Sequence, residues 1–168
     1  MDLRETLPEH PVPQAAQEAA NQPELRIDGL VNEPRTLQPP DLAGLARTAL
    51  TVPFTCDEGW QVQDLTWRGV RLLDVLRLAG VGDEARWVRV SSSGYAVPLA
   101  LAEAEQVLLA EELNGQPISL EHGGPWRLVV PGGACFSSVK WVDRLELVAE
   151  PGEPSGETIA RARLTKAT

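Results

Sequence analysis

The sequence is poor in cysteine, histidine and basic residues, and each shortage excludes a class of protein. Two cysteines and two histidines among 168 residues are too few for a disulfide framework or a structural zinc cluster. The 15 basic residues are outnumbered by 24 acidic residues, for a net charge of −9, which argues against a nucleic-acid or anionic-membrane partner. No segment approaches the roughly 18 consecutive apolar residues that a membrane span requires.

Targeting signals and most cofactor motifs are also absent from the sequence. Residues 1–6 contain no basic segment leading into an apolar one and no twin arginine, so we expect a cytoplasmic protein. There is no haem, iron–sulfur, flavin or nicotinamide motif. A redox enzyme built on this chain would therefore exchange electrons through a separate partner. The lack of a Gly-rich phosphate loop between a strand and a helix disfavours a Rossmann domain.

The length and composition predict one domain with a single core, flanked by less regular ends. The 14 glycines and 14 prolines favour many short elements joined by turns. Residues 1–23 contain four prolines and form an extended or loosely packed arm in this interpretation. Residues 24–150 form the folded domain, and residues 151–168 form a tail whose last stretch, 158–168, is either a helix or an edge strand.

Strand patterns dominate the central domain. Helices are predicted from Asp41, over 72–79 and over 99–105, and Asn114-Gly115 predicts a hairpin turn. The segments with strand-like composition or alternation are 25–31, 50–56, 64–67, 87–91, 107–113, 116–120, 126–130 and 141–148. We therefore expect an α+β fold with mixed, mostly antiparallel sheets and short helices.

Cys56 is the first candidate for chemistry. It lies in the motif Thr55-Cys56-Asp57-Glu58-Gly59-Trp60, at the end of a predicted strand, where a side chain can point into a cavity. Its thiolate would be a soft ligand for a metal that is already bound to sulfur. The alternative for a single cytosolic cysteine is a small buried hydrophobic residue.

A second group of candidates lies downstream and has the composition of an anion-binding site. It comprises the segments His122–Arg127, Pro131–Gly133 and Ser137–Lys140. Arg127 can form two parallel hydrogen bonds to a phosphate, and Lys140 can act as a point charge. The serines offer hydroxyl donors, and the paired glycines let the backbone approach an anion closely. The alternative is that Arg127 and Lys140 are solvated surface charges.

The order of these motifs, over roughly residues 25–148, resembles the molybdopterin-binding domain of the sulfite oxidase family. The resemblance implies the sulfite oxidase fold and a molybdenum-molybdopterin cofactor, with Cys56 as the metal ligand and catalytic residue. It also implies two-electron oxygen-atom transfer on a small molecule, an electron-transfer protein as partner, and a monomer, because the dimerisation domain of larger relatives is missing. The resemblance places Arg127, Ser137, Ser138 and Lys140 around the cofactor and Tyr95 near the substrate pocket, with Trp60 as the best candidate to line that pocket. The alternative for Tyr95 is a half-buried strand tyrosine. His122 is a candidate for a hydrogen bond to the pterin, and the alternative is a histidine that belongs only to a turn.

Two departures from the family pattern qualify this prediction. Asp57 and Glu58 stand where sulfite-oxidising members have arginines, and their charge would repel sulfite. The Cys-x-Glu-Gly-Trp form is more similar to the bacterial methionine-sulfoxide-reductase catalytic subunit and its small relatives.

The segment 134–136 carries Cys135, which either packs harmlessly, reshapes the pocket or places a second sulfur near the metal. A Cys56–Cys135 disulfide is conceivable, although a cytosolic compartment argues against it.

These departures leave a second functional hypothesis open. The domain could keep the sulfite oxidase fold as a non-catalytic binding module for another ligand or for a partner protein. Whether metal and pterin accompany the protein separates the two hypotheses.

Overall fold

The computed structural model describes residues 1–153, 155, 156, 159 and 162. Most of the segment 158–168, for which the sequence predicts either a helix or an edge strand, lies outside the described residues. The α-helices α1 and α2 cover Gln14–Ala19 and Leu72–Arg77, and 3-10 turns cover Pro39–Leu42, Leu101–Glu103 and Cys135–Ser137. The strands are β1 (Asp2–Arg4), β2 (Leu25–Gly29), β3 (Arg35–Leu37), β4 (Arg47–Cys56), β5 (Trp60–Arg71), β6 (Trp87–Ser92), β7 (Tyr95–Ala100), β8 (Leu108–Leu113), β9 (Gln116–Pro117), β10 (Arg127–Val129) and β11 (Arg144–Val148). Among the described residues, no helix is long and apolar enough to cross a membrane.

The strands form two sheets. The first has the order β1-β5-β8-β10, with β4 paired to β5 and β9 paired to β8, and the second has the order β3-β2-β11-β6-β7. The pairs β1–β5 and β2–β11 are parallel, and the other strand pairs are antiparallel. The predicted α+β fold with mixed, mostly antiparallel sheets is confirmed.

The long strand β5 organises the first sheet. β4 pairs with β5 along one edge, from Cys56 opposite Trp60 to Arg47 opposite Val70. The other edge is shared, because β1 pairs with the first three residues of β5 and β8 pairs with the last five. The β4–β5 hairpin therefore ends in a turn that carries Cys56 at the end of the sheet.

The hairpin is longer than the strands 50–56 and 64–67 that the sequence predicts. Asp64 has a positive φ of 56°, and the pairing register shifts between Val52 and Phe54, as at a β-bulge. These irregularities interrupt the apolar–polar alternation within β5. The sequence pattern therefore indicates only the middle four residues, 64–67, of a twelve-residue strand.

Two clusters of buried side chains hold the sheets in place. The larger cluster joins residues of both sheets to α2 and includes Ile27, Leu76 and Leu145. The smaller cluster lies against the first sheet and includes Trp67 and Leu108. Each such side chain stabilises the fold by about 1.5–3 kcal/mol through burial.

The N-terminal arm is anchored at several points. β1 pairs in parallel with Trp60–Val62 of β5, and Leu7 is 5% exposed within the smaller cluster. Residues 14–19 form the short helix α1, which buries Ala16. The sequence predicts an extended or loosely packed arm, and the structure gives it a strand, a helix and a buried anchor.

The helices predicted from Asp41 and over 99–105 are single 3-10 turns in the structure. Pro39 and Pro40 occupy the first positions of the earlier turn, and Asp41 is its third residue, not its N-cap. The Asp41 carboxylate accepts a hydrogen bond from the Gln38 backbone N–H at 2.7 Å. The predicted start at Asp41 is wrong because the turn begins two residues earlier, at Pro39. The Asn114-Gly115 hairpin is confirmed, with positive φ angles of 51° and 81°.

Gly69 supplies a test of the β5–β8 contact. An added Cβ would lie 2.2 Å from the Leu109 carbonyl oxygen and 2.6 Å from the Ala110 Cα. Because both are backbone atoms of a paired strand, Gly69→Ala should lower the free energy of unfolding by about 3 kcal/mol. Gly44→Ala is the matched control, since nothing lies within 4 Å of its Cβ position, and it should change stability by less than about 1 kcal/mol. Urea titrations of both variants measure the difference, and equal stabilities would contradict the β5–β8 packing.

Candidate functional site

A cavity of about 1100 Å³ lies where the β4–β5 turn, the β6–β7 turn, the N-terminal arm and the loop after β10 meet. Six of the side chains that the sequence predicts at the site line this cavity: Cys56, Trp60, Tyr95, Arg127, Ser138 and Lys140. The fold therefore brings together residues that are separated by more than eighty positions in the chain.

Cys56 reaches the cavity because it ends a strand. Val52, Phe54 and Cys56 point to the same, half-buried face of β4. Burial, with a smaller contribution from contact with the Cys135 thiol, raises the pKa of the Cys56 thiol from its ordinary value to about 12. The two sulfur atoms lie 3.1 Å apart, with Cys56 as the donor. Without a metal, Cys56 is therefore a neutral thiol at neutral pH.

Arg127 is a buried cation on β10. The residue is only 3% exposed. Its guanidinium lies over the rings of Phe54 and Trp67, 5.4 and 5.2 Å from their centroids. Nε donates to the Ser138 hydroxyl at 2.9 Å, and Nη1 donates to the His122 carbonyl at 2.8 Å.

The charge of Arg127 has no matching carboxylate in the described part of the chain, where every ion pair involves other arginines. Burial lowers the pKa of Arg127 to about 10, so the group is still a cation at neutral pH. A buried charge is unfavourable unless it is paired. Arg127 therefore favours an anion in the adjacent cavity.

Lys140 is the second cation at the cavity, and its position depends on Gly123. Its Nζ donates to the Glu121 carbonyl at 3.0 Å and lies 5.5 Å from the centroid of the Trp141 ring. Gly123 has a φ of +100°, and a Cβ there would lie 2.6 Å from the Lys140 Cγ. A glycine at position 123 thus leaves the space that the Lys140 side chain occupies.

The serines differ in their positions. Ser138 contacts Arg127 and lines the main cavity, and its hydroxyl donates to the Leu128 carbonyl at 3.2 Å. The Ser137 hydroxyl donates to the Ala134 carbonyl at 2.6 Å and faces a neighbouring cavity of about 350 Å³. A contact between Ser137 and the cofactor therefore stays a prediction, and such a contact would lie in the smaller cavity.

His122 and Tyr95 support the surrounding loops. His122 Nε2 lies 3.2 Å from the Leu7 carbonyl, and Nδ1 lies 3.1 Å from the Ser119 hydroxyl, so the ring connects its turn to the N-terminal arm. The Tyr95 hydroxyl donates to the Phe136 carbonyl at 2.6 Å while the residue lines the cavity. The predicted cofactor contact of His122 and substrate contact of Tyr95 stay predictions.

Trp60 forms part of the cavity wall. Its indole N–H donates to the Glu58 carboxylate at 2.9 Å, and its ring stacks on Phe54 with centroids 5.7 Å apart. The hydrogen bond holds one carboxylate of the acidic loop at the cavity, where Asp57 also lies. The cavity thus carries Arg127 and Lys140 together with two carboxylates from the β4–β5 turn.

Sequence reasoning missed Phe54 and the arm as parts of the site. Phe54 lies two residues before Cys56 in a strand, so the alternation of the strand could have placed both on one face. The arm contributes Leu7, Pro8, His10, Pro11 and Pro13 to the lining. No local pattern in residues 1–13 indicates that contact, because it depends on the parallel pairing of β1 with β5.

The raised pKa of Cys56 can be tested by alkylation in the cofactor-free protein. In a Cys135→Ser variant, where Cys56 is the only cysteine, iodoacetamide should react at pH 8 at least about tenfold more slowly than with the same variant unfolded in guanidinium, because thiolate is the nucleophile. The rate should rise as the pH is raised above 8, because burial still raises the pKa of Cys56 when Cys135 is replaced. Mass spectrometry of the alkylated protein measures both rates. Equal rates in the folded and unfolded states would show that burial does not protect this thiol.

Comparison with known proteins places the chain in one family. A sequence model of the family described as "Oxidoreductase molybdopterin binding domain" matches residues 9–155. The chain is 35% identical to the uncharacterized oxidoreductase YuiH of Bacillus subtilis over 75% of this chain and 65% of that protein. It is 30% identical to sulfite oxidase of Arabidopsis thaliana over 76% of this chain and 42% of that protein. The chain therefore spans less than two thirds of the length of these relatives.

The structural comparison agrees with the sequence comparison. The sulfane dehydrogenase SoxCD of Paracoccus pantotrophus superposes with a TM-score of 0.72 and 30% identity, over 77% of this chain and 39% of that chain. The predicted sulfite oxidase-type fold and a molybdopterin cofactor are thereby confirmed at the level of the family. This chain belongs to the oxidoreductase molybdopterin-binding domain family.

Proposed function

We propose that this domain is a molybdenum-molybdopterin-dependent oxidoreductase that catalyses two-electron oxygen-atom transfer on a small molecule. The observation that carries the proposal is that a cysteine thiol and a buried, carboxylate-free arginine line one cavity of about 1100 Å³. Relatives named as a sulfite oxidase and a sulfane dehydrogenase support a redox reaction on a small substrate. When bound, the cofactor would supply the redox-active metal and two sulfur ligands.

The residues at the cavity fit this cofactor in chemistry and in charge. Cys56 offers one soft ligand, and ligation would keep its sulfur deprotonated despite a pKa of about 12 in the free protein. Arg127 offers a buried cation to the anionic tail of the pterin, and Ser138 holds that guanidinium in place through a hydrogen bond. Lys140 adds a second positive charge at the same cavity.

The walls of the cavity have separate roles in the proposal. Phe54 and Trp60 stack on one another beside Cys56 and exclude water from that side. Asp57 and Glu58 place negative charge at the cavity, which disfavours small anions such as sulfite and favours a neutral or cationic substrate.

The proposal requires a separate redox partner, since the sequence has no haem or iron–sulfur motif of its own. An electron-transfer protein would accept or supply one electron at a time. The monomeric state and the cytoplasmic location of the protein stay predictions.

Metal and pterin content test the proposed function directly. Protein purified from a host that makes molybdopterin should contain close to one molybdenum and one pterin per chain by elemental analysis and pterin fluorescence. Cys56→Ser should lose the molybdenum–cysteine bond and the activity, while its melting temperature without cofactor stays near that of wild type. A folded wild-type protein that takes up neither metal nor pterin would support the non-catalytic binding module instead.

Replacement of the buried cation tests the anion-binding half of the site. Arg127→Gln keeps hydrogen-bond donors in place but removes the charge, and a hydrogen bond to a charged group contributes about 1.5–3 kcal/mol. Pterin content at limiting cofactor should therefore fall by about tenfold or more. Arg68→Gln is the matched control, because Arg68 is exposed and pairs with Glu112 on the sheet surface. Pterin content that is equal in both variants would remove Arg127 from the site.

A further inference from the structure

The contact between Cys56 and Cys135 has no part in the proposed reaction. Their sulfur atoms lie 3.1 Å apart, and both residues are half-buried and line the main cavity. The two residues are 79 positions apart in the chain, so the contact is made by the fold and not by local sequence.

Each cysteine is positioned by its own element. Cys56 ends β4 opposite Trp60, and its carbonyl accepts a hydrogen bond from the Gly59 N–H at 3.0 Å. Cys135 begins a 3-10 turn that is closed by the Ser137 N–H bonding to the Ala134 carbonyl at 3.0 Å. Tyr95 binds the Phe136 carbonyl in the same turn at 2.6 Å. Hydrogen bonds therefore hold both elements in place, and with them the two sulfur atoms.

A disulfide needs only a small movement from this arrangement. The bond length is about 2.05 Å, so the sulfurs must approach by about 1 Å. Gly132 has a φ of +69° and has nothing within 4 Å of its Cβ position, which lets the loop before Cys135 adjust. A shared metal site is the weaker alternative, because the described residues contain no group of three or more potential metal ligands.

We infer that Cys56 and Cys135 form a reversible disulfide that stores the proposed metal ligand in an oxidised, protected form. With a peroxide as oxidant, the sulfur of Cys135, which lines both cavities, attacks the O–O bond to give a sulfenic acid and water. The second thiol then attacks the sulfenic sulfur, forms the S–S bond and releases a second water. Two electrons pass from the thiols to the peroxide. A dithiol reductant reverses the change, because it reduces the protein disulfide to two thiols and is itself oxidised to a disulfide.

The disulfide would have two effects on the site, and these effects rest on the proposed function. A sulfur bonded to Cys135 has no thiolate to offer, so the oxidised chain would not accept the cofactor until it is reduced. The disulfide would also keep Cys135, the sulfur that reacts with the peroxide, from advancing to sulfinic acid, which thiol reductants do not reverse. Cys56 would thus act as the resolving cysteine for Cys135 during the interval before cofactor insertion.

The test begins with full-length protein from a host that makes no molybdopterin. After hydrogen peroxide treatment and unfolding, maleimide should label neither cysteine, the intact mass should fall by two hydrogens, and one digestion product should join the two cysteine peptides. Dithiothreitol should restore both thiols. Two thiols that stay reactive, or a linkage between two chains, would overturn the inference.

A Cys56→Ser variant separates the disulfide from simple oxidation. In this variant peroxide should convert Cys135 to sulfinic acid, so that dithiothreitol no longer restores the thiol, whereas wild type recovers fully. Equal recovery of both proteins would show that Cys56 gives no protection.

The cofactor-loaded protein distinguishes this inference from the proposed function. If Cys56 ligates molybdenum, the loaded protein should form no disulfide under conditions that fully oxidise the cofactor-free chain. A disulfide that forms equally fast in both would support the thiol pair and refute ligation by Cys56. Cofactor uptake that is unchanged by prior oxidation, with the disulfide present, would refute the protective role.

Discussion

The burial of one uncompensated cation is the constraint around which the site is arranged. The Arg127 guanidinium lies over two aromatic rings and is held by a hydroxyl and a backbone carbonyl from two different loops. Neutral partners and ring faces offset only part of the desolvation of a charge. The positive charge that these groups do not offset acts on the adjacent cavity, which Arg127 lines. The loops around Arg127 thus surround a cation whose free energy is lowered when an anion binds beside it.

That arrangement separates the two halves of the proposed site along the sheet. The soft sulfur ligand comes from the end of β4, while the cations come from β10 and the segment before β11. The β4–β5 turn adds two carboxylates beside the sulfur. Charges of both signs therefore line one cavity. Under the proposed function, the cations would bind an anionic cofactor while the carboxylates discourage anionic substrates.

The sequence predicted the fold class and most members of the site because those features have local signatures. Cys56 follows a strand pattern, and Arg127 and Lys140 follow glycine pairs. The extent of β5 was missed because Asp64 breaks the alternation with a positive φ. The role of Ser137 and the approach of Cys135 to Cys56 depend on how a loop closes. Such closures are set by contacts between distant segments, for which a single sequence has no periodic signal.

The N-terminal arm has a consequence for how proteins of this kind can diversify. Residues 7–13 supply part of the cavity wall, yet β1 is joined to the sheet through a three-residue parallel pairing. Residues 8–13 of the arm line the cavity, whereas Cys56, Arg127 and Ser138 are carried by other elements. Under the proposed function, changes in residues 8–13 would therefore alter the selectivity of the cavity while the groups proposed to hold the cofactor stay the same. For the same reason, a purification tag or fusion partner placed before Met1 would stand close to the β4–β5 turn, because the Asp2 backbone N–H donates to the Gly59 carbonyl.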